Sequence, residues 1–128
     1  MVSKYRDPAV DAAYDAALLE NAKTGFCVFC HYETNSVIIK EFNNFAIVEN
    51  KYPYMEWDAS PVKHHYLLIP KAHLITFKQF SEEEKQEYFD IVGMFELSRY
   101  HVYARGVLVA ERSIKHHHTH LFLTTKNC

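Results

Sequence analysis

The chain has 128 residues, enough for one domain that buries roughly two thirds of its unfolded surface around a single core, and too few for two. A composition that is 48% hydrophobic and 15% aromatic, with only three Gly and four Pro, excludes a disordered, collagen-like or linker-rich chain. With 14 Lys+Arg against 16 Asp+Glu there is no basic excess for gripping nucleic acid or an anionic membrane, so the expected partner is a small molecule.

The opening Met-Val-Ser-Lys-Tyr-Arg-Asp-Pro lacks the apolar centre of a signal peptide. Apolar runs further on fall far short of the roughly 20 residues that span a bilayer, so a soluble, cytoplasmic protein is expected. From Pro8 to Ala22 the residues Val10, Ala13, Tyr14, Ala17 and Leu18 keep helical spacing behind an Asp7-Pro8 start, which predicts an amphipathic helix. Ser36 to Phe42 and Phe45 to Glu49 read as a hairpin turning at Asn43-Asn44. His65 to Ile69, ended by Pro70, is apolar on both faces like an interior strand.

Ser81 and Glu84 form a capping box. Behind it Tyr88, Ile91, Val92, Phe95, Arg99 and Val102 keep helical spacing, predicting a long helix that runs to Gly106. His101 then falls on that helix, as a surface or interface residue. Val107 to Ala110 and His116 to Thr124 read as two closing strands. The order predicts an α+β fold, a mostly antiparallel sheet with helices over one face.

Nine histidines are the compositional excess, and four stand at 116, 117, 118 and 120. On a strand, His116, His118 and His120 share one face while His117, Thr119, Leu121 and Leu123 share the other. Imidazoles that titrate near neutrality can supply a neutral nucleophile beside donors, which suits attack on a phosphoryl centre. The competing readings are a purification tag, a solvated strand face or a purely structural metal site. Thr119 and the strand Leu121-Phe122-Leu123 argue against the tag.

His116-His117-His118-Thr119-His120-Leu121-Phe122 resembles the His-φ-His-φ-His-φ-φ signature of the histidine triad (HIT) superfamily of nucleotide hydrolases and transferases. His65-Tyr66-Leu67-Leu68-Ile69-Pro70-Lys71-Ala72-His73 is similar to the family's His-φ-φ-φ-φ-Pro-Lys-x-His strand, and Cys27-Val28-Phe29-Cys30 to its N-terminal Cys-x-Phe-Cys. The resemblance covers roughly residues 26 to 124 and implies a HIT-like domain over 26–128 behind an N-terminal helical extension, 1–25. It further implies a homodimer and a nucleotide substrate cleaved at the α-phosphorus. His118 would be the nucleophile that forms a nucleotidyl-histidine, His120 would polarise the phosphate oxygens, Ser113 would donate to the phosphate or leaving group, and His65 would lie beside them. A third histidine, His120, matches the hydrolase branch, since transferases of the superfamily typically carry glutamine there. The alternative is a nucleotide-binding or scaffold protein that has lost catalysis.

The chain departs from the family in having Glu111-Arg112 where a Gly-Gln usually precedes the serine, leaving Arg112 as a phosphate contact or a solvated loop residue. His117 and Thr119 occupy positions that are normally apolar, which would weaken packing on that face. Asp58 stands one residue out of register with the family's acidic nucleoside-pocket residue and is not carried over.

Cys27-x-x-Cys30-His31 admits three readings: haem attachment or redox chemistry, plain reduced cysteines, or half of a zinc site. Resemblance to zinc-containing HIT proteins implies that His73 and His116 complete it, with His31 a spare. Four protein ligands would make the zinc structural rather than catalytic. Cys128 is expected to be free and unstructured. Trp57, Tyr52, Tyr54 and Phe45 are candidates for stacking on a base or for ordinary packing.

Overall fold

In the computed structural model, residues 5–128 are described; residues 1–4, which begin both the predicted 1–25 extension and the segment read as lacking a signal peptide, lie outside the described residues. Helix α1 spans Pro8–Thr24. Asp7 caps it by accepting from the Ala9 N–H at 2.9 Å, Pro8 opens its first turn, and Gly25 closes it in the left-handed conformation that a residue with no Cβ adopts without clash. Ala13, placed on the apolar face by spacing, is exposed, whereas Asp11 is buried with its Oδ1 3.7 Å from Arg6.

A knuckle at residues 27–30 leads to the short helix α2, Tyr32–Asn35. The predicted hairpin follows as β1, Ile38–Glu41, and β2, Phe45–Glu49, paired antiparallel. The next hairpin joins β3, Glu56–Trp57, to β4, Ser60–Pro70, so β4 is longer at its start than the apolar run His65–Ile69 indicates. Its two-residue turn is Asp58-Ala59, with φ of 51° and 56°, a mirror-image turn that matches the twist of the flanking strands. Asp58 is thus a turn residue whose carbonyl accepts from Lys126 Nζ at 3.1 Å, remote from the nucleoside-pocket role considered for it.

Helix α3 spans Glu82–Glu96 and begins on the predicted capping box: the Ser81 hydroxyl accepts from the Glu84 N–H and the Glu84 carboxylate from the Ser81 N–H. It does not run to Gly106. The Ser98 hydroxyl donates to the Phe95 carbonyl and accepts from the Tyr100 N–H, closing the helix in a turn, and His101–Tyr103 forms strand β5. The helical spacing of Arg99 and Val102 is coincidental, because Val102 pairs with Leu121 across the sheet. Val107 to Ala110 is no strand either. Its side chains are exposed, Leu108 almost fully so, and no neighbouring strand takes up its backbone groups.

Strand β6, Thr119–Thr124, completes the main antiparallel sheet in the order β1-β2-β4-β6-β5, with β3 paired to β4 to one side. The predicted strand from His116 starts three residues later, since His116 to His118 precede the ladder. A short 3-10 turn, Thr125–Asn127, follows, and Cys128 donates its N–H to Thr125, so the last residue is free as a thiol but not unstructured.

The sheet is buried on both faces because β2 and β4 are apolar at successive positions. Phe45, Ile47, Leu68 and Leu121 pack under α3 with Phe80, Tyr88 and Ile91, while Ala46, Val48, Leu67 and Ile69 pack against Phe29 and Tyr32 on the other side. Helix α3 therefore lies over one face, and the cysteine knuckle with Tyr32 of α2 over the other. Among the described residues no helix is long and apolar enough to cross a membrane.

Candidate active site and metal centre

Extended backbone through residues 116–120 keeps the alternation expected of it. His116 and His118 turn toward Phe29, at ring distances of 5.8 and 5.3 Å, and His118 meets His120 edge-on at 5.3 Å. His117 and Thr119 turn toward α3. Their polarity does not loosen that face, contrary to expectation: the His117 Nε2 and Thr119 hydroxyl lie 2.9 Å apart, and the Tyr88 hydroxyl reaches Thr119 at 2.7 Å. All three side chains are buried, and hydrogen bonds join them in a row, which lowers the cost of burying their polar groups.

Hydrogen bonds fix the tautomers on the site face. The His118 Nδ1 lies 2.9 Å from the His116 carbonyl, so it carries the proton and leaves the lone pair on Nε2. The Tyr54 N–H donates to His65 Nδ1 at 3.1 Å, which puts the His65 proton on Nε2; that Nε2 lies 2.9 Å from His120 Nδ1. His120 accepts there and carries its own proton on Nε2. Burial lowers the pKa of His118 to about 4 and of His65 to about 3, with nearby cations adding to the effect, and it holds His120 well below its ordinary value. At neutral pH the cluster is uncharged, with a free lone pair on His118 Nε2 and a proton on His120 Nε2.

A cavity opens against these two rings. Its walls include His118, His120, Phe29, Leu67, Ile114 and, from α1, Tyr14. His65 is not in its wall and meets it only through its contact with His120. Asn50 and Tyr52 also line it, and Asn50 Nδ2 lies 3.3 Å from His65 Nε2. Ser113 is brought near but is engaged elsewhere, its hydroxyl 2.5 Å from the Tyr14 hydroxyl. Arg112 is half-buried and lies outside the cavity wall: it donates to the carbonyls of Ile75 at 2.5 Å, Lys115 at 2.8 Å and Arg105 at 3.3 Å, bracing the loop before the triad. Of the aromatic candidates, Tyr52 faces the cavity, Phe45 sits in the core, and Tyr54 and Trp57 pack behind His65 and His120.

Sequence reading missed Arg6 and the cavity role of Tyr14. Both belong to the segment read as an extension, and their partners Tyr52 and Ser113 lie 46 and 99 residues away, so local spacing carries no sign of them.

Cys27, Cys30, His73 and His116 converge as the motifs imply, with ligand atoms all within 4.8 Å of one another. Cys30 Sγ is 3.1 Å from His73 Nδ1 and 3.5 Å from His116 Nδ1; Cys27 Sγ is 3.5 Å from His116 Nδ1; the two Nδ1 atoms are 3.2 Å apart. A tetrahedral zinc with ordinary bond lengths requires edges of about 3.6 Å for N–S and about 3.3 Å for N–N, so these four edges come within about 0.5 Å of it, and two thiols with two imidazoles are a donor set that suits zinc. His116 Nε2 lies 2.8 Å from the Pro70 carbonyl, which holds the proton there and turns the lone pair of Nδ1 to the centre. These four residues can bind a metal. His31 is not among them, since its Nδ1 lies 3.1 Å from the Cys27 carbonyl and its ring stacks on Phe26.

No protein-family model matches the chain, and no curated protein does. Solved structures do. A HIT family hydrolase from Clostridium thermocellum superposes with a TM-score of 0.56 at 27% identity, over 77% of this chain and 89% of that one. A hypothetical protein from Leishmania major gives 0.61 at 16% identity, over 80% and 74%, and a histidine triad nucleotide-binding protein from Sulfolobus tokodaii gives 0.54 at 22%, over 77% and 68%. The sheet with its covering helix is the HIT fold. On that fold the three histidines of the motif stand at or just before the start of β6, the arrangement expected from the resemblance to the histidine triad superfamily.

Proposed function

We propose that the protein is a nucleotide hydrolase that cleaves a phosphoramidate, dinucleoside polyphosphate or related nucleotidyl ester at the α-phosphorus through His118. The observation that carries this reading is the pinned His118 ring, protonated on Nδ1 toward the His116 carbonyl and unprotonated on Nε2, in the wall of a cavity beside His120. Its similarity to a HIT family hydrolase supports the reaction class.

The His118 Nε2 lone pair forms a bond to phosphorus as the bond to the leaving group breaks, and the electron pair departs on the leaving atom. The ring becomes cationic, and its Nδ1–H donation to the His116 carbonyl stabilises that charge, as an oriented acceptor does for any imidazolium. His120, kept as an Nε2 donor by His65, hydrogen-bonds a phosphoryl oxygen where charge accumulates. Water then forms the new P–O bond, returns the N–P electron pair to Nε2 and releases a proton to solvent. Ser113 would join the phosphate contacts by exchanging Tyr14 for an oxygen of the substrate.

Zinc would be held by Cys27, Cys30, His73 and His116 and would be structural, because four protein ligands close its shell. We further propose a cytoplasmic homodimer, with residues 26–128 as the HIT-like domain and 1–25 as its extension.

Rapid denaturing quench after mixing with a nucleotide substrate, followed by mass spectrometry, tests the mechanism. The wild-type chain should carry a nucleotidyl adduct on His118, and His118→Ala should lose the adduct and about a thousandfold or more of kcat. Undiminished turnover in that variant refutes it. One observation favours a second reading, a binding protein without turnover: the Ser113 hydroxyl is already satisfied by Tyr14. Reversible nucleotide binding with neither adduct nor product would establish that reading instead.

A further inference from the structure

Among the described residues, Arg6 is the one arginine that lines the cavity holding His118 and His120. Its side chain is only 12% exposed. Nε donates to the Tyr52 carbonyl at 2.7 Å, and the guanidinium lies 4.4 Å from the centre of the Tyr14 ring and 5.2 Å from that of Tyr54. A planar fork stacked on one side and anchored at Nε keeps its terminal N–H groups in a fixed direction. Asp11 Oδ1 stands 3.7 Å from one terminal nitrogen, beyond the 2.7–2.9 Å of a charge-assisted hydrogen bond, so it moderates the charge without saturating the donors. The positive field reaches the reacting histidines, where it helps keep His65 and His120 unprotonated.

The placement is a built one. Tyr14 meets the Tyr52 ring at 5.1 Å and the Ser113 hydroxyl at 2.5 Å, tying α1 to Tyr52 and to the loop before the histidines. Burying the cation costs desolvation that Asp11, itself 6% exposed, offsets only in part from 3.7 Å, and an anion in the cavity, whose wall also carries Glu49 and Lys51, offsets more of it.

We propose that Arg6 determines specificity, selecting substrates whose leaving group is itself a phosphate or nucleoside phosphate over phosphoramidates that release an amine. The inference rests on the hydrolase reading above. When His118 Nε2 bonds to the α-phosphorus of a polyphosphate, the bridging P–O bond breaks and its electron pair leaves on oxygen, adding negative charge that Arg6 neutralises. When the substrate is a phosphoramidate, the P–N bond breaks, and the nitrogen takes the pair and a proton from solvent to depart as a neutral or cationic amine. A fixed cation gives that departure no help.

The test compares kcat/KM for a diadenosine polyphosphate and an adenosine 5′-phosphoramidate in wild type, Arg6→Gln and Arg6→Lys, with thermal melts to monitor folding. The ratio of polyphosphate to phosphoramidate should fall tenfold or more in Arg6→Gln and recover in part in Arg6→Lys. A ratio unchanged in folded variants overturns the proposal, because a purely structural role lowers both rates together. Binding of ADP and AMP to the wild-type protein gives a readout that needs no variant: ADP should bind at least tenfold more tightly, and equal affinities overturn the proposal. Wild-type protein that hydrolyses neither substrate yet prefers ADP would refute the hydrolase reading while leaving Arg6 as the anion selector.

Discussion

At the scale of single residues, the tautomers of His65, His118 and His120 all follow from one neighbour apiece: the Tyr54 N–H, the His116 carbonyl and the His65 Nε2. Keeping these rings neutral has a consequence for stability. Burial holds His65 near pKa 3, whereas in the unfolded chain it titrates near 6.5. Between those values the unfolded state binds a proton that the native state refuses, so stability present above about pH 6.5 is lost as pH falls toward 3. The loss is at most about 1.4 kcal/mol per pH unit for this residue. Urea midpoints at pH 7.5, 6.5 and 5.5 should therefore decline, and less steeply in His65→Gln than in wild type. Parallel declines would show that His65 does not titrate on unfolding.

The motif residues were legible because their chemistry depends on local spacing. A strand period of two puts His118 beside His120, and a Cys-x-x-Cys knuckle presents both thiolates to one point. Arg112 was not legible, because its partners are carbonyls at Ile75, Arg105 and Lys115, which only the folded loop brings together. The satisfied trio of His117, Thr119 and Tyr88 was hidden for the same reason.

At the scale of elements, turn and apolar signals identified the hairpin, the interior strand and the body of α3: Asn43-Asn44 marks the turn beside an exposed β1, β2 and β4 bury successive apolar residues, and α3 buries Tyr88 and Ile91 at helical spacing. It misplaced the chain around residues 97–110. Val107 to Ala110 has β-forming side chains but no strand to pair with, while His101–Tyr103 forms a strand only because β6 lies alongside. The cysteine knuckle, which makes no ladder of its own, meets β4's end and the approach to β6 where Cys27, Cys30, His73 and His116 converge. Metal bound only by the native state adds about 4 kcal/mol at a concentration a thousandfold above Kd. For a chain of this length that is about 15 °C in Tm. Chelation should lower the melting temperature by that order and re-added zinc should restore it, with elemental analysis giving one metal per chain. A melting curve indifferent to chelator would mean that the four side chains serve as a reduced thiol and imidazole cluster.

At the scale of the whole molecule, the sheet ends on β5, only three residues long, and α3 delivers Met94 and Leu97 to solvent just before it, Leu97 at 87% exposure. An unpaired edge with apolar side chains next to it is an arrangement that association covers. Light scattering should give twice the 15.1 kDa of one chain, and Leu97→Glu should shift it toward one chain's mass. A wild-type mass of one chain would refute the homodimer.

The turn between β3 and β4 bears on the margin by which the protein stays folded. Asp58 and Ala59 both hold positive φ, a conformation that costs an L-residue with a Cβ roughly 1–2 kcal/mol, and Ala59 has no polar side chain to offset it. The pairing of Trp57 with Ser60 imposes the turn all the same, so β4 begins with a local debt that its long ladder to β6 must outweigh. Ala59→Gly removes the clash and gives back part of the gain as unfolded-chain entropy, leaving about 0.5–1 kcal/mol. A rise in Tm of roughly 2–4 °C is expected, and a fall would mean that the mirror-image turn is unstrained. The chain thus keeps a reserve of stability at a position outside the cavity wall, where a single substitution can raise robustness without touching a residue of the site.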